Sequence, residues 1–272
     1  MLATHSLEKP MKTDVRSCGT RADIAFGAEV SRLSAATCLH TLAQIEATRL
    51  EAILQRLGPE AVRLEPGERL FAEGDEQHDL HVVRSGVLKT RRIGVQGEEL
   101  VLDFHFAGEL LGRGFLSGRP QRCEAVALTA ADVCRFPMPA LEEAMSESVE
   151  LQRSILDRIG RAIARDQDHA VLLGRPLAQA RLAGFLHELQ RCQQGRGESP
   201  VRIQLPMGRA DIASYLGLVI ETVSRAFTRL QEEQVLKVSG RRVQVLDSKR
   251  LCELSGEGAP ACGATSVMRR RA

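Results

Sequence analysis

The stretch "SYLGLVIETVSRAF", residues 214 to 227, predicts two helices joined by a turn at Gly217. The second helix has an apolar face whose residues follow one another at steps of four and three: Val223, Phe227 and Leu230. A polar face lies beside it: Glu221, Ser224 and Arg225. Two helices with a glycine-containing turn and polar residues at the start of the second are typical of a helix-turn-helix, whose second helix enters the major groove of DNA.

The side chains around this polar face are suited to contact with base edges. Arg225 can donate two hydrogen bonds to guanine O6 and N7, Glu221 can accept one from cytosine N4, and Ile220 can contact a thymine methyl group. The alternative is that Glu221 and Arg225, four residues apart, form only a surface ion pair worth about 0.5 kcal/mol. The pattern of this helix alone leaves both interpretations open.

The sequence on either side of this stretch predicts a winged helix-turn-helix. Helical patterns begin at residue 177, and "LKVSGRRVQVL" predicts two strands that alternate around Ser239-Gly240. Lys and Arg outnumber Asp and Glu between residues 201 and 250, although the formal net charge of the whole chain is only +2. This local excess of positive charge favours contact with phosphate groups.

The first half of the chain has a different pattern. Between about residues 62 and 136, short apolar runs are broken by turn pairs such as Pro66-Gly67, Ser85-Gly86 and Gln96-Gly97, at intervals of about 8 to 12 residues. Such spacing is typical of an antiparallel sandwich or barrel. The sequence therefore predicts a small β-roll.

A long helix follows Pro139. Its predicted apolar stripe has residues at steps of four and continues into an aspartate: Leu151, Ile155, Ile159, Ile163 and Asp166. The stripe can pack against the β-roll of its own chain or against the same helix of a second copy. Because the opposite face is charged, at Arg158, Arg161 and Arg165 among others, we favour the second copy and predict a homodimer.

The segment "RADIASYLGLVIETVSRAFTRLQEEQVL" resembles the helix-turn-helix signature of the Crp/Fnr family of bacterial transcription regulators, and specifically the Fnr-like branch. The resemblance extends from about residue 38 to 248, through "LEPGERLFAEGDEQHDLHVVRSGVLKT", "FHFAGELLG" and "ARDQDHAVLLG". It implies an α+β fold in which a double-stranded β-helix, a cupin-like jelly roll, is joined by a long dimerisation helix to a C-terminal winged helix-turn-helix.

We expect five segments on this basis. They are a flexible N-terminal extension at 1–36, a β-roll sensor domain resembling cyclic-nucleotide-binding domains at 37–148, a dimerisation helix at 149–175, the winged helix-turn-helix at 176–250 and a disordered tail at 251–272. The tail ends in "RRRA", which either contacts DNA or is simply solvated.

The resemblance implies sequence-specific binding to double-stranded DNA, at half-sites of the TTGAT type arranged as an inverted repeat. The implied DNA-binding residues are Glu221, Ser224, Arg225, Ile220 and Thr222, with Arg209 on a phosphate. Two positions depart from the family pattern, because Val219 and Gly208 stand where Thr or Ser is usual. Each lost cap is expected to cost about 0.5 to 2 kcal/mol.

The β-roll does not match a cyclic AMP site. In Crp a Gly-Glu pair on the central turn and an Arg-Ser pair nearby hold that ligand, whereas this chain has Gly112-Arg113 and Arg122-Cys123. The acidic residue that would meet the ribose is replaced by its opposite charge. We therefore do not expect cyclic AMP as the effector.

An iron–sulfur cluster is the cofactor that the Fnr-like resemblance implies. Cys134 in "DVCRFP" matches the family's β-roll ligand, Cys38 matches the last of three N-terminal ligands, and Cys18 is the only other N-terminal thiol. Arg32 and Glu29 stand where the remaining two ligands are expected. The alternatives are that Cys134 is a small buried apolar residue, that cysteines respond to redox state without iron, or that another effector or none is used.

The remaining expectations concern class and location. No secretory signal and no apolar run of membrane-spanning length occur in the sequence, so we expect a cytoplasmic protein with no membrane partner, which contacts RNA polymerase once bound to DNA. His78, His81 and His105 have no catalytic arrangement around them, so we do not expect an enzyme. The alternative from another class is a small-ligand-binding module that acts on a partner protein, which would need an acidic residue at position 113.

Overall fold

The computed structural model describes residues 57–76, 78–112, 119–195, 199 and 201–256. Expectations for the N-terminal extension, for Cys18, Cys38 and Arg113, and for the tail beyond residue 256 lie outside these residues. The strands are β1 Glu60–Leu64, β2 Arg69–Phe71, β3 Asp79–Ser85, β4 Leu88–Ile93, β5 Glu99–His105, β6 Leu110–Leu111, β7 Glu124–Ala127, β8 Ala131–Pro137, β9 Arg202–Gln204, β10 Leu236–Ser239 and β11 Arg242–Val245. The helices are α1 Met138–Glu147, α2 Val149–Leu173, α3 Ala178–Gly195, α4 Arg209–Tyr215, α5 Ile220–Glu232 and α6 Ser248–Leu254.

Two four-stranded antiparallel sheets form the predicted β-roll. Their strand orders are β1-β8-β3-β6 and β2-β7-β4-β5. Side chains from both sheets, including Leu64, Val83 and Leu88, pack into one buried cluster between them. The predicted turns are present, and at Gly86 φ is +79° and a Cβ would lie 2.3 Å from the Ala130 carbonyl oxygen, so only glycine fits there.

The helix α2 begins at a cap and extends along the β-roll. Its 25 residues span about 38 Å. Ser148 Oγ accepts a hydrogen bond from the Leu151 N–H (3.2 Å), which satisfies one of the free amides of the first turn. Leu151 and Ile155 are fully buried, in a cluster with β-roll residues such as Phe136.

The predicted apolar stripe of α2 therefore needs a correction. Leu151 and Ile155 lie in the core of their own β-roll, whereas Ile163 is 51% exposed and Asp166 is exposed. Each step of four residues turns about 40° around a helix, so a stripe built from such steps moves from one face to another. A seam with alternating steps of three and four, as in a coiled coil, remains exposed except at Ile159, which is buried with Leu151 and Ile155: Val149, Gln152, Leu156, Ile159, Ile163, Asp166, Ala170 and Leu173.

The C-terminal half has the predicted winged helix-turn-helix. Helices α3, α4 and α5 pack around a buried cluster that includes Leu186, Ile212 and Phe227. A three-stranded sheet of order β10-β11-β9 completes it, so β9 and α6 add to the elements that the sequence predicted. In the described part of the chain, no helix has the length and apolar character needed to cross a membrane.

Candidate nucleic-acid interface

The turn between α4 and α5 is held by backbone hydrogen bonds. The Leu218 N–H donates to the Ala213 carbonyl (2.9 Å), and the Gly217 N–H donates to Ser214 (3.2 Å). Gly217 has a φ of +60°, a left-handed conformation that glycine adopts without steric cost. The turn therefore has the glycine-dependent geometry that the sequence predicted.

The helix α5 is strongly amphipathic, and its two faces are those predicted. The buried face consists of Val223, Ala226, Phe227 and Leu230. The exposed face carries Glu221, Ser224 and Arg225, while Ile220 at the start of the helix is 46% exposed and Thr222 is half-buried. An ion pair at a spacing of four residues does occur on this helix, but it lies two turns further along, between Arg229 and Glu233 (3.2 Å).

Arg209 lies at the junction of the two helices. Its guanidinium carbon is 3.3 Å from the centroid of the Phe227 ring, a cation–π contact that fixes the side chain against the buried face of α5. Burial lowers the pKa of Arg209, and its Nη1 is buried without a hydrogen-bond partner among the described residues. The side chain is thus half-buried against the domain, and a phosphate contact remains a prediction.

The two unusual capping positions have different consequences. At the start of α4, the Gly208 N–H donates to Asp211 Oδ2 (2.9 Å), so an aspartate three residues later satisfies that amide. At the start of α5, Val219 makes no side-chain cap, as the sequence predicted. The N–H groups at the start of α5 therefore have no side-chain acceptor at the N-cap position.

The wing and the turn contain functional candidates that the sequence analysis did not single out. Arg241 and Arg242 are exposed at the tip of the β10–β11 hairpin, beside Gly240 with a φ of +60°. The motif "SGRR" indicates these two arginines, but in the sequence it was interpreted only as the turn of the hairpin. Arg181 donates to the carbonyls of Arg175 (2.8 Å) and Leu216 (3.0 Å), which ties the helix-turn-helix to the segment after α2.

A cavity of about 290 Å³ lies between the β-roll and α2. Its lining includes the following residues: Phe71, Thr90, His105, Gln121, Cys123 and Asp166. Thr90 Oγ1 and His105 Nε2 are 3.1 Å apart and form a buried hydrogen bond. Gly112 also lines the cavity, while Arg113 lies outside the described residues.

The described residues do not by themselves fit an iron–sulfur cluster. Cys134 is fully buried in β8, in an apolar cluster that includes Leu57 and Leu80. Cys123 precedes β7 and packs against a different apolar cluster, between the two sheets. Among the described residues, no group of three His, Cys, Asp or Glu side chains is placed to hold a metal ion. The other two cysteines of the proposed ligand set, Cys18 and Cys38, lie outside the described residues.

Comparison with known proteins supports both halves of this description. Residues 180–254 match the Crp-like helix-turn-helix domain, and residues 61–148 match the cyclic nucleotide-binding domain. The chain is 34% identical over 249 residues to the fumarate and nitrate reduction regulatory protein of Vibrio cholerae, covering 92% of this chain and 96% of that protein. It is 38% identical over 207 residues to the transcriptional activator protein Anr of Pseudomonas aeruginosa, covering 76% and 83% respectively.

A solved structure is similar over most of the described fold. FixK2 from Bradyrhizobium japonicum aligns with a TM-score of 0.65 at 30% sequence identity, over 74% of this chain and 98% of that one. The structure of TTHB099 from Thermus thermophilus, described as a transcriptional regulator of the CRP family, aligns with a TM-score of 0.58 at 21% identity, and this likeness concerns the fold alone.

Proposed function

Because the chain belongs to the Crp/Fnr family and is a DNA-binding transcription regulator, we propose that it binds an inverted repeat of TTGAT-type half-sites as a homodimer. The observation that carries the proposal is the solvent-exposed face of α5, with Glu221, Ser224 and Arg225 on the first two turns after Gly217. Residues near the start of a recognition helix are those that reach base edges in the major groove.

Each base contact follows from the chemistry of the side chain. Arg225 donates a bidentate pair to guanine, Glu221 accepts from the amino group of cytosine, and Ser224 can donate to or accept from a base edge. Ile220 supplies an apolar contact for a thymine methyl group, and the half-buried Thr222 supports the same turn of the helix. Discrimination is expected to come mainly from Arg225 and Glu221.

Phosphate contacts would supply the rest of the affinity. We assign them to the wing arginines Arg241 and Arg242, which are exposed, and to Arg209, which is half-buried against Phe227. Such contacts release counterions, so the affinity for DNA falls as salt concentration rises. The segment from residue 176 to 250 is the proposed DNA-binding unit.

Dimerisation would use the exposed seam of α2. Leu156 is 55% exposed and Ile163 is 51% exposed, seven residues apart, and Val149, another seven residues earlier, is 53% exposed. Apolar side chains at this spacing on a helix of 25 residues are typical of a two-stranded coiled coil. A symmetric pair of α2 helices would place two copies of α5 to face the two halves of an inverted repeat.

We propose two alternative signals to which the β-roll responds. One is an iron–sulfur cluster with an altered ligand set that includes Cys134, Cys38 and Cys18. The other is a small effector in the cavity beside Thr90 and His105. Measuring iron and acid-labile sulfide in protein purified without oxygen separates them, because only the cluster gives near-stoichiometric values that disappear in Cys134→Ala. RNA polymerase is the proposed protein partner of the DNA-bound dimer.

The DNA proposal is tested by fluorescence anisotropy with a labelled duplex that carries the inverted repeat. Arg225→Ala is expected to lower specific affinity by about 1 to 3 kcal/mol, while binding to a scrambled duplex changes little. Arg229→Ala is the matched control, since Arg229 lies on the same helix and pairs with Glu233. Equal binding of the parent protein to specific and scrambled duplexes would contradict the proposal.

A further inference from the structure

The helix-turn-helix packs on the sensor domain through a contact between α4 and the strand β5. The Val101 N–H donates to Ser214 Oγ (2.8 Å), and the Ser214 hydroxyl donates to the Glu99 carbonyl (2.7 Å). β5 is the edge strand of its sheet, and its outward backbone groups have no neighbouring strand to bond. One side chain of the DNA-binding domain therefore satisfies two backbone groups of the sensor domain.

A buried lysine strengthens the same contact. Lys89 on β4 is only 7% exposed, and its Nζ lies between two carboxylates, one from each domain. It pairs with Glu99 of the sensor domain and lies 2.5 Å from Asp211 Oδ1 of α4. A buried ammonium is strongly disfavoured without anionic partners, so losing the position of Asp211 would leave the Lys89 charge undercompensated. Asp211 also caps α4 through the Gly208 amide, which couples this ion pair to the start of the helix.

Apolar contacts extend the interface on both sides of α4. Val101 and Phe104 of β5 belong to the same buried cluster as the core of the winged helix-turn-helix. The ring centroids of Phe104 and Tyr215 are 5.1 Å apart. On the other side, the His169 ring of α2 stacks on Tyr215 at 3.9 Å, and His169 Nε2 lies 2.8 Å from the Tyr215 carbonyl oxygen. The helix α4 is thus held between β5 and α2.

The opposite face of the β4–β5 pair lines the cavity of the β-roll. Thr90, Leu102 and His105 line this cavity, whereas Lys89, Val101 and Phe104 face the DNA-binding domain. Successive side chains of a strand point to opposite faces, and the register shift between Thr90 and Arg91 leaves one extra residue in β5, so Val101 and Phe104 share a face although they are three residues apart. One pair of strands therefore forms both surfaces. A displacement of these two strands by an occupant of the cavity would move the groups that hold α4.

We propose that Lys89 and Ser214 are positioning residues for DNA binding: they hold α4 on β5, so that the strands lining the cavity set the orientation of the recognition helix. The proposal rests on the proposed function, because it concerns the regulation of the same DNA site. Glu221, Ser224 and Arg225 stay exposed while α4 is docked, so docking leaves the base-contacting face accessible. Loss of the contact frees the domain to rotate, and a DNA-bound pair of domains must then lose that freedom.

The test compares variants that remove the contact with variants that keep its chemistry. Ser214→Ala and Lys89→Met are each expected to weaken binding to the inverted repeat by about tenfold. Ser214→Thr and Lys89→Arg keep the hydroxyl and the charge, and are expected to restore most of the affinity. Ser146→Ala is the matched control, since the Ser146 side chain is exposed and lies on α1.

Hydrogen exchange of the Val101 amide reports docking independently of DNA. Ser214→Ala should accelerate this exchange because the amide loses its acceptor, while exchange in β3 and β8 stays unchanged. Arg225→Ala should lose DNA binding with the Val101 amide still protected. Faster Val101 exchange with parent affinity, or unchanged exchange in Ser214→Ala, overturns the inference. A parent protein that fails to bind the duplex specifically overturns the proposed function as well, so the two failures are distinguishable.

Discussion

At the scale of single residues, Val219 and His81 have the clearest energetic consequences. Val219 occupies the N-cap of α5 without any side-chain acceptor for the free amides of the first turn. His81 is buried, and burial together with the charge of Arg135 lowers its pKa to about 3. A capping substitution at position 219 should therefore raise the free energy of unfolding. A fall in pH should lower it through His81.

Replacing Val219 with threonine should stabilise the protein. Val219 is 61% exposed, so the change removes little buried apolar area, and the new hydroxyl can accept a hydrogen bond from the first turn of α5. We expect the free energy of unfolding to rise by about 0.5 to 2 kcal/mol, measured by urea denaturation. Val95→Thr, at a fully exposed position, serves as the control. No change relative to that control would show that the first turn gains nothing from a cap.

His81 should make stability depend on pH below about 6.5. Its folded pKa is lowered to about 3, so between these values the unfolded chain binds a proton that the folded chain does not, and stability falls as pH falls. The loss between pH 7 and pH 5 should approach about 2 kcal/mol relative to His81→Gln. Glu188 acts in the opposite sense. Burial raises its pKa to about 7, so the folded chain keeps a proton that the unfolded chain has lost, and this contribution to stability is greater at lower pH. Comparing the parent with His81→Gln at both pH values isolates the histidine, and equal pH slopes would rule out its role.

At the scale of secondary-structure elements, α2 has one face that packs on its own β-roll and another that is exposed. Leu151 and Ile155 anchor it to its own β-roll, while Leu156 and Ile163 face solvent along a seam with coiled-coil spacing. Asp166 interrupts the apolar character of that seam. In a symmetric pair of helices the two Asp166 carboxylates would approach one another, and like charges at an interface oppose association.

Asp166→Ala should therefore strengthen dimerisation. We expect the dimer dissociation constant to fall by about tenfold, with a matching gain in DNA affinity, because an unfavourable charge pair is replaced by an apolar contact. Analytical ultracentrifugation across a concentration series measures the change. Asp168→Ala is the control on the same helix, away from the seam, since Asp168 lines the groove beside α3. Identical dissociation constants for Asp166→Ala and the parent would place the dimer surface elsewhere.

At the scale of the whole molecule, the two domains share an apolar core. Phe104 of the β-roll is 4% exposed, and its ring centroid lies 6.0 Å from that of Phe185 in α3. Gly184 permits the close approach of α3 to the end of α2, where a Cβ would lie 2.6 Å from Leu172 Cδ1. Domains that share buried side chains in this way are expected to unfold together.

Phe104→Ala should make the two domains unfold in separate transitions. The substitution removes a buried ring from the shared core, at a cost of about 3 to 5 kcal/mol. We expect one transition in differential scanning calorimetry of the parent and two transitions in the variant. Phe136→Ala is a control within the β-roll, since Phe136 packs only in the cluster beneath α1 and α2, and it should lower the transition temperature without splitting it in the same way. Two transitions already present in the parent would contradict the shared core.

Local patterns in the sequence determined the helix-turn-helix and the β-roll. The faces of α5 follow from a period of 3.6 residues, the turn requires Gly217, and the short strands are separated by glycines with positive φ, such as Gly86 and Gly97. These features depend on residues that are neighbours in the chain, so periodicity and turn chemistry were sufficient to predict them. The candidate base-contacting residues were predicted for the same reason.

Only the tertiary structure decided how these parts meet. It placed Leu151 and Ile155 in the β-roll core, put Cys123 and Cys134 beside different apolar clusters, and stacked Arg209 on Phe227. It also joined Lys89 to Asp211, which are 122 residues apart in the chain. No local pattern specifies such pairs, because a helix or strand period records which face of an element is apolar but not which distant element covers it.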